Sequence, residues 1–439
     1  MSLLRRLALD LTPLRASRDF RLVFSAGGVS AFGSMLTYVT IPFQVAEITD
    51  DPLLVGLIGV CELVPLLVMA FVGGALADYL DRRLLVLGAE VAQMVLTGVL
   101  LANALTHRPT VWPLYLIAAL SAGVDGLQRP ALEGLIPRIV VPDQIPAAGA
   151  LGSLQRQIAG IGGPAAAGVL IASAGLPAVY AIDIATFAFS LVCLSMVRAV
   201  PPPPDADRPS IRAVATGLRY ARGRPELLGT YLVDINAMFF GMPTVLYPFM
   251  ADRLGGPQVL GLLYASIAVG ALLATLTSGW AGRVHRHGLM VALAAGLWGL
   301  GIVGAGLAST LWLVVACLML AGAADMISAL FRSIIWNQTI PDHLRGRLAG
   351  IEMLSYTTGP LLGHVRAGLT ARLMGIGGSI VWGGVLCVIG TVALAAALPG
   401  FLRYDGRDGL ARKRAEDEAR AARSVPRHGF VDHEVREIN

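Results

Sequence analysis

The sequence predicts an all-α polytopic membrane protein, with twelve transmembrane helices in two pseudo-symmetric six-helix bundles. Three observations predict it. The 439 residues are 55% hydrophobic and only 14% charged, too apolar a balance for a water-soluble domain. The apolar residues gather into twelve runs, each near the ~20 residues that a bilayer crossing takes. The second half of the chain repeats landmarks of the first in the same order.

The elements follow in chain order. Met1–Asp19 is a basic N-terminal segment with Arg5, Arg6, Arg15 and Arg18, and no cleavable leader is legible in it. The N-terminal bundle, residues 20–199, takes its spans over Phe20–Ala46, Leu53–Ala77, Leu84–Leu105, Val111–Pro137, Ala147–Ala174 and Leu176–Val197. A linker follows at residues 200–225. Its Pro201–Pro204 run is extended, and Ser210 caps a short amphipathic helix over Ile211–Arg222. That helix suits either a membrane surface or plain solvent. The C-terminal bundle, residues 226–402, has spans over Glu226–Met250, Val259–Gly282, Leu289–Ala308, Leu311–Trp336, Leu348–Leu373 and Ser379–Pro399. Residues 403–439 form a charged tail, helical over Leu410–Arg423.

Charge placement sets the expected orientation. Of the 34 Lys+Arg, 27 fall on the side shared by both termini and three, Arg108, Arg253 and Arg372, on the other. Positive residues concentrate on the cytoplasmic face, so both termini are expected there, in a bacterial plasma membrane. The net charge of +5 does not point to nucleic acid, because the arginines lie between apolar runs rather than on one basic face. Cys61, Cys193, Cys317 and Cys387 each sit in a separate apolar run and read as small buried residues.

The internal repeat runs at a slowly drifting offset. Pro42-Phe43 recurs as Pro248-Phe249, Pro52 and Gly56 as Pro257 and Gly261, Asp125 as Asp325, and Gly163-Pro164 as Gly359-Pro360. A duplicated six-helix unit whose copies face each other across a central cavity is a transporter plan.

Ionisable residues inside spans are costly, which makes them functional candidates. Asp125, Arg129 and Glu133 stack at i, i+4, i+8 on the fourth span, so either acid can pair with Arg129. Glu62 lies near the middle of the second span with no local cation, which marks it as a proton carrier. Arg156, Asp183, Asp234, Asp325, Arg332, Glu352 and Arg366 complete the set; for each, a structural ion pair competes with proton coupling or substrate contact. The fifth span carries Gly160, Gly163, Pro164 and Gly168, glycines that thin one helix face and a proline that bends it. Packing and gating both fit that run. No zinc-protease, nucleotide-binding or nucleophile-elbow motif is present, so no enzyme activity and no cofactor are expected, and an ion gradient is the expected driving force.

The connection between the second and third spans, Gly74-Ala75-Leu76-Ala77-Asp78-Tyr79-Leu80-Asp81-Arg82-Arg83, resembles the signature of the major facilitator superfamily at this place. Tyr79 and Asp81 depart from the usual arginine and glycine. The resemblance implies a conformational gate of Gly74, Asp78, Arg82, Arg83 and Glu133. In it Asp78 meets the start of the eleventh span and Arg82 meets Glu133, holding an outward-open state. The run Gly160–Gly168 is similar to a Gly-Pro signature of the superfamily's antiporters, which implies export. Pro13-Leu14-Arg15, Val245-Leu246-Tyr247-Pro248, Gly261-Leu262-Leu263-Tyr264-Ala265 and Thr277-Ser278-Gly279 resemble the enterobactin-exporter branch, whose relatives include drug efflux pumps. The implied activity is export of a small organic molecule, a siderophore or amphipathic drugs, in exchange for protons. The expected partners are that substrate, protons and the lipid bilayer, and a monomer suffices. Import of a small solute, or a non-transporting sensor on the same fold, stays open.

Overall fold

The computed structural model describes residues 10–200, 219–341, 345–407, 409–413, 415 and 418. Its elements are α1 (Thr12–Ala16), α2 (Arg18–Thr49), α3 (Pro52–Tyr79), α4 (Arg82–Ala104), α5 (Trp112–Ile139), α6 (Ile145–Ser195), α7 (Pro225–Gly241), α8 (Tyr247–Leu254), α9 (Pro257–Leu276), α10 (His287–Leu307), α11 (Leu311–Thr339), α12 (Arg345–Ala397) and α13 (Pro399–Leu402). The expected linker extension Pro201–Pro204 lies outside the described residues, as do most of the linker helix over Ile211–Arg222 and most of the tail helix.

Nine described segments are long and apolar enough to cross a membrane. Two of them hold two crossings each. The long helices α6 and α12 turn at Gly175 (φ 78°) and Gly375 (φ 81°), a left-handed backbone that glycine adopts without a Cβ penalty. The charged α5 falls outside the nine, since Asp125, Arg129, Glu133 and Arg138 lower its hydropathy. Its 28 residues still span about 42 Å at 1.5 Å per residue. With α5 counted, and α7 and α8 taken as one broken crossing, the helices make the expected twelve spans.

The seventh span corrects the sequence expectation of an unbroken helix over Glu226–Met250. α7 stops at Gly241, a 3-10 turn covers Thr244–Leu246, and α8 resumes at Tyr247. Pro243 explains the break, because a proline pushes the residue before it out of helical geometry; Met242 is extended, with ψ at 104°. The break leaves α7 carbonyls unpaired. Arg366 of α12 supplies donors to them, from Nε to Phe239 O at 3.3 Å and from Nη2 to Phe240 O at 2.5 Å.

Polar side chains cap the starts of α2, α3 and α4. Ser17 accepts the Phe20 N–H at 3.1 Å, Asp51 that of Leu53 at 2.9 Å and Asp81 that of Arg83 at 2.8 Å. Pro52, with no N–H to satisfy, opens α3.

Packing sorts the helices into two matched sets. In the first, α2 packs on α6, α3 on α5, and α4 on both α5 and α6. In the second, α7 packs on α12, α9 on α11, and α10 on both α11 and α12. Each pair has its counterpart under the repeat. The sets join through α3 against α12 and α9 against α6, again a symmetric pair.

Those joints lie toward one edge of the membrane, opposite the edge where α2 begins. There Gly56 and Gly59 meet the carbonyls of His364 and Leu361, Gly368 meets that of Pro52, and Gly261 meets those of Pro164 and Ala165. Backbones approach this closely only where no Cβ intervenes. Tyr38 and Tyr264 stack edge-on across the joint, 6.1 Å between centroids, and Arg372 reaches Asp51 at 3.5 Å. Phe43 and Phe249, from the repeated Pro-Phe pairs, line one far-edge cleft of about 320 Å³ together with Glu47, Asp50 and Asp252.

Candidate functional site

The half of the interface nearer the N-terminal edge is different. Arg129 of α5 lies over the ring of Tyr356 of α12, 5.3 Å from its centroid, so it faces the other bundle. Its side chain is nonetheless 52% exposed and that of Glu133 is 73% exposed. Charged groups at these exposures inside a span require water. The bundles therefore touch at the far edge and part at the N-terminal edge, leaving a polar cleft between them.

Asp125, fourteenth of the 28 residues of α5, is exposed to this cleft. Its Oδ1 accepts from Gln93 Nε2 of α4 at 2.8 Å, while Arg129 pairs with Glu133 at 3.4 Å. Of the two acids that stack with Arg129, the structure selects Glu133. Arg156 of α6 is exposed and donates to Ser153 Oγ at 3.0 Å; among the described residues it has no carboxylate partner.

The first bundle also holds two deep carboxylates that have no cation partner among the described residues. Glu90 of α4 takes Ser30 Oγ at 3.0 Å and Gln128 Nε2 at 2.9 Å. Asp183 of α6 takes the hydroxyls of Thr37 and Thr97 at 2.5 and 3.4 Å and of Thr186 at 3.2 Å. Both carboxylates are thus held by neutral hydrogen-bond donors from neighbouring helices, which satisfies their oxygens at depth in the bundle.

The second bundle is built the other way. Asp234 of α7 pairs with Arg332 of α11 and accepts from Ser355 Oγ at 3.0 Å. Asp325, the repeat counterpart of Asp125, lies 3.9 Å from the same guanidinium. One arginine thus serves both candidate acids. Asn236, two residues from Asp234, stays apart and donates to Cys387 O and Thr391 Oγ1 at 2.9 and 3.2 Å.

Glu62 sits where the bundles meet. Half-buried on α3, it has no hydrogen bond and no ion pair among the described residues. It lines a cavity of about 30 Å³ with Tyr38, Thr244, Tyr264 and His364. That is room for one or two waters.

At the signature loop, the surroundings of Gly74 and the side chain of Asp78 lie outside what is described. Arg82 Nη1 donates to Gly134 O at 2.6 Å, one residue beyond Glu133, whose carboxylate faces Arg129 instead. Arg83 Nε donates to Leu194 O at 3.0 Å, and its Nη2 to Ser195 O. Asp81, besides capping α4, accepts the Val200 N–H at 3.2 Å. The departure from glycine at position 81 thus anchors the loop to the chain just beyond α6. In the glycine run of α6, Gly160 meets open space, Gly163 packs on Phe32 and Met35 of α2, and Gly168 packs on Pro257 and Gly261 of α9. Only the last of these bridges the bundles.

Sequence reasoning missed Glu90, Gln93 and His364. For the first two a signal existed: Glu90, Gln93 and Thr97 fall at i, i+3, i+7 among the buried residues of α4, a polar stripe on an inward face. His364 carried none, since its role comes from the helix it faces.

A polar cleft between two repeat-related bundles, closed at one end, defines a secondary transporter of the major facilitator class, a multi-pass membrane protein. A family model described as "Transmembrane secretion effector" matches residues 8–431, and the chain belongs to that family. It is 28% identical over 397 residues to the enterobactin exporter EntS of Shigella boydii serotype 4 (strain Sb227), covering 88% of this chain and 93% of that protein. The enterobactin exporter EntS of Escherichia coli (strain SE11) matches with the same identity and coverage. Among solved structures, a POT family transporter in complex with 5-aminolevulinic acid superposes with TM-score 0.69 at 12% identity, over 88% of this chain and 97% of that one. A bacterial homolog of the human lysosomal transporter Spinster, in an inward-facing and unoccupied conformation, superposes with TM-score 0.66 at 13% identity, over 90% and 97%.

Proposed function

We propose that this protein exports a siderophore across the bacterial plasma membrane in exchange for protons, by alternating access of its two bundles. The likeness to the enterobactin exporters supports the cargo class. With the termini cytoplasmic, as the arginine distribution favours, the parted edge opens inward and receives cargo from the cytoplasm. Arg156, exposed in α6 and without a carboxylate partner among the described residues, suits an acidic cargo group and disfavours a cation.

The observation that carries proton coupling is Glu62: a carboxylate with no hydrogen bond or ion pair among the described residues, placed where the bundles must separate. Protonated, it is tolerated in the closed joint; ionised, it needs water and favours opening. Export thus begins with cargo in the inward cleft. Release of the Glu62 proton then accompanies the switch that carries cargo to the far edge.

The reading is tested by substrate-induced proton release in energised inverted membrane vesicles, comparing wild type with Asp78→Asn. Siderophores and cationic dyes serve as the trial compounds. Release with siderophores, lost in the variant, is expected. Release with dyes alone redirects the cargo to amphipathic drugs, and no release from well-inserted protein contradicts antiport.

A further inference from the structure

His364 faces the same small cavity as Glu62, from the opposite bundle. Its backbone carbonyl and Cβ lie against Gly56 and Gly59 of α3. These positions precede Glu62 at helical spacing, so the imidazole and the carboxyl share one face of the joint. His364 Nε2 is hydrogen-bonded to Thr244 Oγ1 at 3.1 Å. That leaves Nδ1 for the cavity, where one or two waters fit.

Resting on the antiport reading above, we propose that His364 is a second coupling residue, which shares a single proton with Glu62 across the bundle interface. The balance is simple. Through a bridging water, the Glu62 carboxylic acid gives its proton to His364 Nδ1 and becomes a carboxylate as the ring becomes imidazolium; the reverse step restores two neutral groups. In either form the pair has no net charge, and the joint closes at least cost. Removing the proton leaves a lone carboxylate in the joint, and adding a second leaves a lone imidazolium. Each disfavours closure, because a buried charge without a partner is costly.

Other titratable groups surround the pair. Tyr38 comes from α2, Cys61 from α3, Tyr115 and Asp125 from α5, Tyr247 from α8 and Tyr264 from α9. The Asp51–Arg372 pair lies at the far edge itself. The test must therefore assign each titration to its residue.

The measurement is the far-edge distance between spin labels at Glu47→Cys and Asp252→Cys, in the full chain in lipid nanodiscs without cargo, as a function of pH. The closed fraction of wild type is expected to peak at intermediate pH and to fall several-fold on both sides. His364→Gln, which keeps a polar contact for Thr244, removes the acid limb and stays closed at low pH. Glu62→Gln removes the alkaline limb and stays closed at high pH. A residue that merely packs would shift the closed fraction equally at all pH values. A flat wild-type profile, or an acid limb that persists in His364→Gln, overturns the proposal and assigns any acid titration to Asp51 or another neighbour. His364→Asn replaces the glutamine variant if that one fails to fold. Cargo-induced proton release in vesicles, measured separately, distinguishes failure of this pairing from failure of antiport.

Discussion

Gly56 of α3 lies against the backbone carbonyl of His364 in α12, so close that a Cβ would crowd that oxygen. Gly261 of α9, its counterpart in the repeat, lies in the same way against Pro164 of α6. The two contacts are the matched halves of the joint that shuts the far edge. Overpacking a close contact costs about 1–3 kcal/mol, and here the cost falls on the closed state alone. Gly56→Val and Gly261→Val are each expected to shift the far edge toward open while the protein still folds. Spin-label distances across that edge measure the shift.

Asp234 and Arg332 form a buried charge pair of the second bundle. Removing one partner of such a pair costs about 3–5 kcal/mol, because the other is left buried and uncompensated. Asp234→Asn and Arg332→Leu are each expected to lower thermal stability by that order, and the double variant Asp234→Leu with Arg332→Leu to lose clearly less than the two losses added, the remainder being Asp325 left without its arginine. Melting of the purified protein in detergent decides. Additive losses would mean that the two residues act independently.

Arg366 ends α7 where Pro243 breaks it, by donating to Phe239 O and Phe240 O. A charged hydrogen bond to a helix carbonyl contributes about 1.5–3 kcal/mol, and a cation at a helix C-terminus adds favourably to the dipole. Arg366→Met is expected to lower melting stability by about that amount and to leave the pH dependence of transport in place. A changed pH dependence at undiminished stability would make Arg366 a coupling residue instead.

Much of this was legible in the sequence, for physical reasons. Spans are read from hydropathy, because lipid imposes one composition on every crossing. The repeat showed in the shared order of Gly56 and Gly261, which the fold places in equivalent joints. Glu62 stood out because nothing near it in sequence carries a positive charge, and in the fold it has no ion pair among the described residues. Partner choice was not legible. Arg129 is four residues from both Asp125 and Glu133, and only Gln93, from another helix, takes Asp125 and leaves Glu133 to the arginine. His364 reads as an ordinary residue until α12 is laid against Gly56. The break in the seventh span was visible as Pro243, yet the apolar run continues through it, and hydropathy does not register a lost helical turn.

The most direct test of the account is the flux carried by Glu62. Purified wild type and Glu62→Gln are reconstituted into liposomes with an imposed pH gradient, acid inside, and uptake of a siderophore is followed. Wild type is expected to accumulate the siderophore against its gradient only while the pH gradient lasts. Glu62→Gln, inserted to the same level, is expected to lose that accumulation by at least tenfold, which corresponds to about 1.4 kcal/mol of coupling. Accumulation by Glu62→Gln equal to that of wild type, under the same pH gradient, would contradict the assignment of the proton to Glu62.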